Sequence, residues 1–215
     1  MFEKKTVRAR CNKCDHTWDV DQHLCVDSSN TEIVQLIEDG LFFTVYCPNC
    51  GEEYQFVNPT IYYNDKKKTV ICFVEGTLDT SCAEHMINQM IDEFGEFANL
   101  ITTRLTSTQN EFREKVILDQ HSIDDRVVEI MKVLAMDVIR SEGWNQKFSD
   151  VRCSVSDDDK TLNIDFVGNE PRHISMDRDR YEKYAKQAKR DLDSHQTPLR
   201  VDMDWAISFC ESHNI

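Results

Sequence analysis

Glycine and proline are scarce in this chain, with 6 and 4 among 215 residues. That scarcity excludes long flexible linkers, collagen-like repeats and low-complexity tracts. No apolar run approaches the roughly 18 residues that a membrane-spanning helix needs. Lys4 and Lys5 are not followed by the apolar stretch of a secretory signal. A cytoplasmic location with no membrane attachment is therefore expected. Positive charge is also short: 25 Lys and Arg face 39 Asp and Glu, a net charge of −14. Such a balance argues against a protein-wide grip on nucleic acid or an anionic membrane. No phosphate-binding glycine loop, Gly-x-Ser-x-Gly elbow or His-Glu-x-x-His occurs. His85, His121, His173, His195 and His213 are scattered without ligand or triad spacing.

What is present is ordinary globular composition, 40% apolar and 30% charged, together with nine cysteines. An odd count without an export signal argues against a disulfide framework. Four of the nine form two pairs, Cys11-x-x-Cys14 and Cys47-x-x-Cys50, with 32 residues between them. Two intervening residues let both thiolates of a pair face one ion from a tight turn. Four thiolates complete a tetrahedral Zn²⁺ shell. Pro48 stiffens the second turn, and Gly51 can take the positive φ that aims backbone N–H groups at sulfur. Asp15 stands where the second pair has Gly51, and Asp tolerates that conformation better than most residues. The expectation is one structural Zn²⁺ per chain, held by Cys11, Cys14, Cys47 and Cys50. Iron is the alternative metal. A redox role fits poorly, because a thioredoxin-like pair opens a helix in a βαβ unit. His16 and His23 are the nearby histidines that could replace a thiolate. Cys25, Cys72, Cys82, Cys153 and Cys210 read as small buried hydrophobes.

The fold class expected is α+β in three stretches. Residues 1–76 read as a zinc ribbon with an inserted helix. Strands are expected over Val7–Arg10, Trp18–Val20, Leu41–Tyr46, Glu53–Val57, Thr60–Asn64 and Thr69–Val74. Ser29-x-x-Glu32 is a capping box for the helix, and Gly40 is placed to end it. Residues 77–147 read as a helical middle region. Capping boxes stand at Ser81-x-x-Glu84 and Thr108-x-x-Glu111, and a longer helix follows Asp124. Met86, Ile87, Met90, Ile91 and Phe94 make the apolar stripe of the first. Residues 148–215 alternate as a β-hairpin around Asp157–Asp159. His173–Met176 reads as a further strand, residues 178–193 as a helix, and Asp202 as the cap of a last helix.

With these motifs in view, the chain resembles the bacterial and archaeal CpXC domain family, named for two Cys-Pro-x-Cys motifs. Cys47-Pro48-Asn49-Cys50 matches the motif, while Cys11-Asn12-Lys13-Cys14 keeps the cysteines and lacks the proline. The likeness continues through Tyr62–Lys67, Asn110–Lys115 and Asp124–Glu129, over about residues 5–170. It implies the ribbon and the domain layout, and it supplies no reaction or partner.

For function, the closed metal shell, the acidic balance and the missing catalytic motifs point to a protein-interaction or assembly module with an unidentified protein partner. Nucleic-acid binding is the first alternative, through Lys4, Lys5, Arg8, Arg10 and Lys13 beside the first cysteine pair. It is disfavoured because residues 1–75 carry 8 basic and 12 acidic side chains. An enzyme with a site outside the ribbon is the second alternative. Asp124, Asp125 and Glu129 could hold Mg²⁺. They read better as helix-start acids, with Arg126 and Glu129 paired at i, i+3.

Overall fold

The computed structural model describes residues 4–76, 102–144, 146–194 and 198–213, with His85, Asn88 and Asp92 between the first two stretches. Those three residues are helical, and the rest of the helix expected at Ser81–Phe94, with Cys82, lies outside the described residues. The architecture is α+β, in two compact units, Met1–Val116 and Ile117–Ile215. Among the described residues no helix is long and apolar enough to cross a membrane.

The first unit opens with a hairpin of β1 (Lys4–Arg10) and β2 (Thr17–His23), paired from Lys4↔His23 to Arg10↔Thr17. A second hairpin joins β4 (Thr44–Tyr46) and β5 (Glu53–Gln55). Between them lie β3 (Cys25–Asp27) and helix α1 (Thr31–Glu38). Asn30, not Ser29, caps α1, accepting the Ile33 N–H at 3.3 Å. Ser29 is held one residue too early, its N–H donating to the Asp27 carboxylate at 2.7 Å. The helix ends at Gly40 (φ +73°), with the Leu41 N–H closing back on the Leu36 carbonyl. The strand expected from Leu41 begins only at Thr44, because Leu41–Phe43 turn to drop Phe43 into the core.

The larger sheet runs β3-β6-β7-β8, with β6 (Thr60–Asn64), β7 (Thr69–Phe73) and β8 (Thr102–Thr106). β6 and β7 are antiparallel, while both outer pairings are parallel. β8 adds a strand to the stretch expected as a helical middle region, residues 77–147. Thr102, Thr103 and Thr106 are β-branched and favour a strand, but five residues next to helical patterning give little periodicity to read. The three-residue β3 escapes sequence reading for the same reason. One face of this sheet packs Tyr62, Ile71 and Phe73 against Val34, Ile37, Phe43 and Phe112. The Phe43, Phe73 and Phe112 rings lie 5.0–6.3 Å apart between centroids. Phe112 arrives on α2 (Gln109–Gln120). Its expected capping box forms in full: Thr108 Oγ1 accepts the Glu111 N–H, and Glu111 accepts the Thr108 N–H.

The division between units falls inside α2. The second unit holds α3 (Asp125–Ser141), an antiparallel sheet ordered β11-β10-β9, and two further helices. The strands are β9 (Asp150–Val155), β10 (Thr161–Val167) and β11 (Arg172–Asp177). The helices are α4 (Arg178–Asp193) and α5 (Met203–His213). Cys153, Leu162, Ile164 and Phe166 point into one core with Val128, Met131, Tyr181 and Phe209. Asp202 caps α5 through the Trp205 N–H.

The acidic start of α3 is engaged in structure. Asp124 caps the helix and holds Arg126 at 2.6 Å, and Arg126 also reaches Asp193. Glu129 turns inward and pairs with Lys132 at 3.1 Å, each side chain at most 5% exposed. Burying a carboxylate and an ammonium costs less when each faces the other than when either is left alone.

Candidate metal centre

Each cysteine pair lies in the six-residue turn of a hairpin: Cys11–His16 between β1 and β2, and Cys47–Glu52 between β4 and β5. The two turns repeat one backbone design. The N–H of the first cysteine donates to the carbonyl of the sixth residue, His16 or Glu52, at 2.8 Å in both turns. The N–H of the fifth residue returns to the carbonyl of the first cysteine, at 3.0 Å from Asp15 and 2.9 Å from Gly51. Both fifth residues take positive φ, +57° and +72°. Asp15 therefore substitutes for glycine in the conformation its side chain tolerates.

The turns bring Cys11, Cys14, Cys47 and Cys50 together, with all four Sγ atoms within 4.8 Å of one another. Cys11 Sγ lies 3.5 Å from Cys50 Sγ, and Cys14 Sγ lies 3.7 Å from Cys47 Sγ. Disulfides would need about 2.05 Å. Thiolates around one tetrahedral ion with bonds of about 2.3 Å sit about 3.8 Å apart. The donor set and its spacing therefore fit a single metal ion. Cys11 and Cys47 are buried, Cys14 and Cys50 half-buried.

Donors surround the sulfurs. The Tyr54 hydroxyl donates to Cys11 Sγ at 3.2 Å while accepting the Asn12 N–H at 2.9 Å. Asn49 Nδ2 donates to Cys14 Sγ at 3.4 Å. Burial opposes charge on Cys11, but Tyr54 and the N–H groups of Lys13 and Cys14 outweigh it and bring the thiol down to about 6. Asn49 and the His16 N–H lower Cys14. The Glu52 N–H favours a Cys50 thiolate, yet burial and the neighbouring cysteine sulfurs prevail and push it up to about 12. Four crowded sulfurs resist shedding every proton unless a cation stands among them. Tyr54 and Asn49 were not singled out in the sequence. Asn49 lies inside the Cys-Pro-x-Cys turn, whereas Tyr54 is a strand residue that only the fold brings to the first turn. His16 and His23 stand outside the four-sulfur group: His16 contributes its carbonyl, and its ring stacks on Trp18. Of the single cysteines, Cys72, Cys153 and Cys210 are buried and Cys25 is half-buried.

The basic run lies along β1 and the first turn, and four of its five charges face carboxylates. Lys4 meets Asp21 at 2.6 Å, Arg8 meets Asp19 at 2.9 Å, and Arg10 meets Asp15 at 2.8 Å. Lys13 meets Glu52 at 2.6 Å, joining the two turns. Lys5 is exposed on the same strand. These are surface pairs, individually weak. A phosphate would nonetheless have to displace a carboxylate at four of the five positions.

Comparison with known families matches the chain to the family described as CpXC protein, over residues 9–132. The matched span contains all four cysteines and ends within α3. No curated protein and no solved structure matches the chain.

Proposed function

We propose that this chain, which belongs to the CpXC family, is a cytoplasmic protein-interaction or assembly module built around one structural zinc ion. The four sulfurs within 4.8 Å carry the metal reading. Thiolates at all four corners leave no position for water, so the ion would tie two hairpins together rather than activate a substrate. These hairpins are small and have little core of their own, which is where a metal contributes most to folding. Zinc is favoured over an iron–sulfur cluster because several irons and sulfides would spread the four thiolates beyond the 4.8 Å that contains all of them.

The partner reading rests on charge and exposure. The net charge is −14, and Lys4, Arg8, Arg10 and Lys13 already face carboxylates. Leu36, Leu41 and Tyr46 are exposed apolar side chains in the same unit, suited to a protein surface. Elemental mass spectrometry on protein purified without added metal tests the first part. One zinc per chain supports it, and iron or no metal overturns it. Affinity capture at modest salt tests the second, with a stoichiometric protein partner as the supporting result. Nucleic-acid binding that steepens with falling salt, and disappears when Lys4, Lys5, Arg8 and Arg10 are neutralised, would replace it.

A further inference from the structure

The sheet of the second unit carries a connected set of side chains that the ribbon reading does not use. Asp165 on β10 is the cross-strand partner of His173 on β11, and Asn163 is the partner of Ser175. His173 Nδ1 lies 2.8 Å from Asp165 Oδ1, and its Nε2 lies 2.7 Å from Ser175 Oγ. Asn163 Oδ1 lies 2.9 Å from Ser175 Oγ, so the single hydroxyl proton turns either to Asn163 or to His173 Nε2, and attack proceeds from the second orientation. The strand pattern explains the grouping. Leu162, Ile164 and Phe166 are buried on one face. Residues two apart on each strand then share the other face, and cross-strand neighbours there come within side-chain reach.

The chemistry follows from the two ring nitrogens. A carboxylate at Nδ1 holds the proton on that nitrogen and leaves the Nε2 lone pair facing a hydroxyl. The backbone adds a donor. The Arg178 N–H bonds the Lys160 carbonyl, which sets the ladder parity so that Met176 and Ile174 bond β10. The N–H of Ser175 then points away from β10, on the outer side of β11, which is an edge strand of this sheet among the described residues. There it can meet the oxygen of a carbonyl that Ser175 attacks.

We propose that Ser175 and His173, positioned by Asp165, hydrolyse small activated carboxylic esters on this open sheet face. Ser175 Oγ bonds the acyl carbon while its proton passes to His173 Nε2. The tetrahedral adduct expels the alcohol or phenol, which takes that proton. Water then adds to the acyl-serine, gives a proton to Nε2, and releases the carboxylic acid as Ser175 Oγ recovers the proton. His173 is 55% exposed, so small substrates reach it from solvent and turnover is slow. Activated esters are the class chosen because their leaving groups need little help, whereas amides demand a fuller set of oxyanion donors.

The test uses the full chain with p-nitrophenyl acetate, and a fluorophosphonate probe located by peptide mass spectrometry. The expected result is saturable hydrolysis and a label on Ser175. Ser175→Ala and His173→Gln should each lower the rate about tenfold or more. Asp165→Asn should lower kcat with little change in KM, which a purely structural role would not produce. These side chains are on the polar face, so melting curves should overlay that of the parent chain. Parent-level hydrolysis by Ser175→Ala would show imidazole acting alone and overturn the proposal. So would no hydrolysis by the parent chain, or a label elsewhere.

Discussion

Asp15 and Gly51 are structural equivalents. Each is the fifth residue of its cysteine turn, each has positive φ, and each returns its N–H to the carbonyl of the first cysteine. The space around a Cβ added at Gly51 is open, so only backbone strain opposes a side chain there. Gly51→Ala is expected to cost about 1 kcal/mol. Gly51→Asn should cost less, because Asn tolerates that conformation as Asp15 does. Chemical denaturation of the metal-loaded protein, comparing both variants with the parent, checks the order.

Cys47→Ser should abolish stoichiometric metal binding and melt the two hairpins, since an oxygen at that corner breaks the thiolate shell. Cys25→Ser should leave the metal content unchanged, because Cys25 lies outside the four-sulfur group. Elemental analysis with thermal melting separates the two. Retained metal and an unchanged melting temperature in Cys47→Ser would refute the assignment of that residue.

Tyr54→Phe removes the hydroxyl between Cys11 Sγ and the Asn12 N–H without changing the ring. Loss of such an outer partner typically weakens metal binding by about 10-fold or more. Competition with a chelator should show that loss while the far-ultraviolet spectrum stays unchanged. Equal affinity in parent and variant would mean that the hydroxyl serves the Asn12 turn alone.

Acid sensitivity should concentrate at Asp27. The Tyr63 hydroxyl, 2.5 Å away, together with the Ser29 N–H, holds its carboxyl below the usual range. A depressed carboxyl adds stability above the ordinary Asp value near 3.9 and loses it as pH falls through the folded value. The Tyr63→Phe variant should cost about 1–2 kcal/mol at pH 7. Its melting temperature should also fall less steeply than that of the parent chain below about pH 4. Parallel curves for the two proteins would remove Asp27 from the account.

The sequence by itself determined what short-range chemistry can dictate. The cysteine spacing marked four residues that converge, and Gly51 and Asp15 announced their positive φ. Thr108-x-x-Glu111, Asp124 and Asp202 marked helix starts. The alternation of Leu162, Ile164 and Phe166 set which face of β10 is buried. Each of these signals lies within a few residues, where turn geometry and side-chain period leave few choices. Tertiary structure decided the rest, because the deciding partners are far apart along the chain. Strand β8 exists through its parallel pairing with β7, some thirty residues earlier. Tyr54 meets Cys11 across 43 residues. The carboxylates facing Lys4, Arg8 and Lys13 became visible only once the hairpins closed. Asp165, His173 and Ser175 carry no motif spacing, and antiparallel register alone aligned a carboxylate, an imidazole and a hydroxyl on one face.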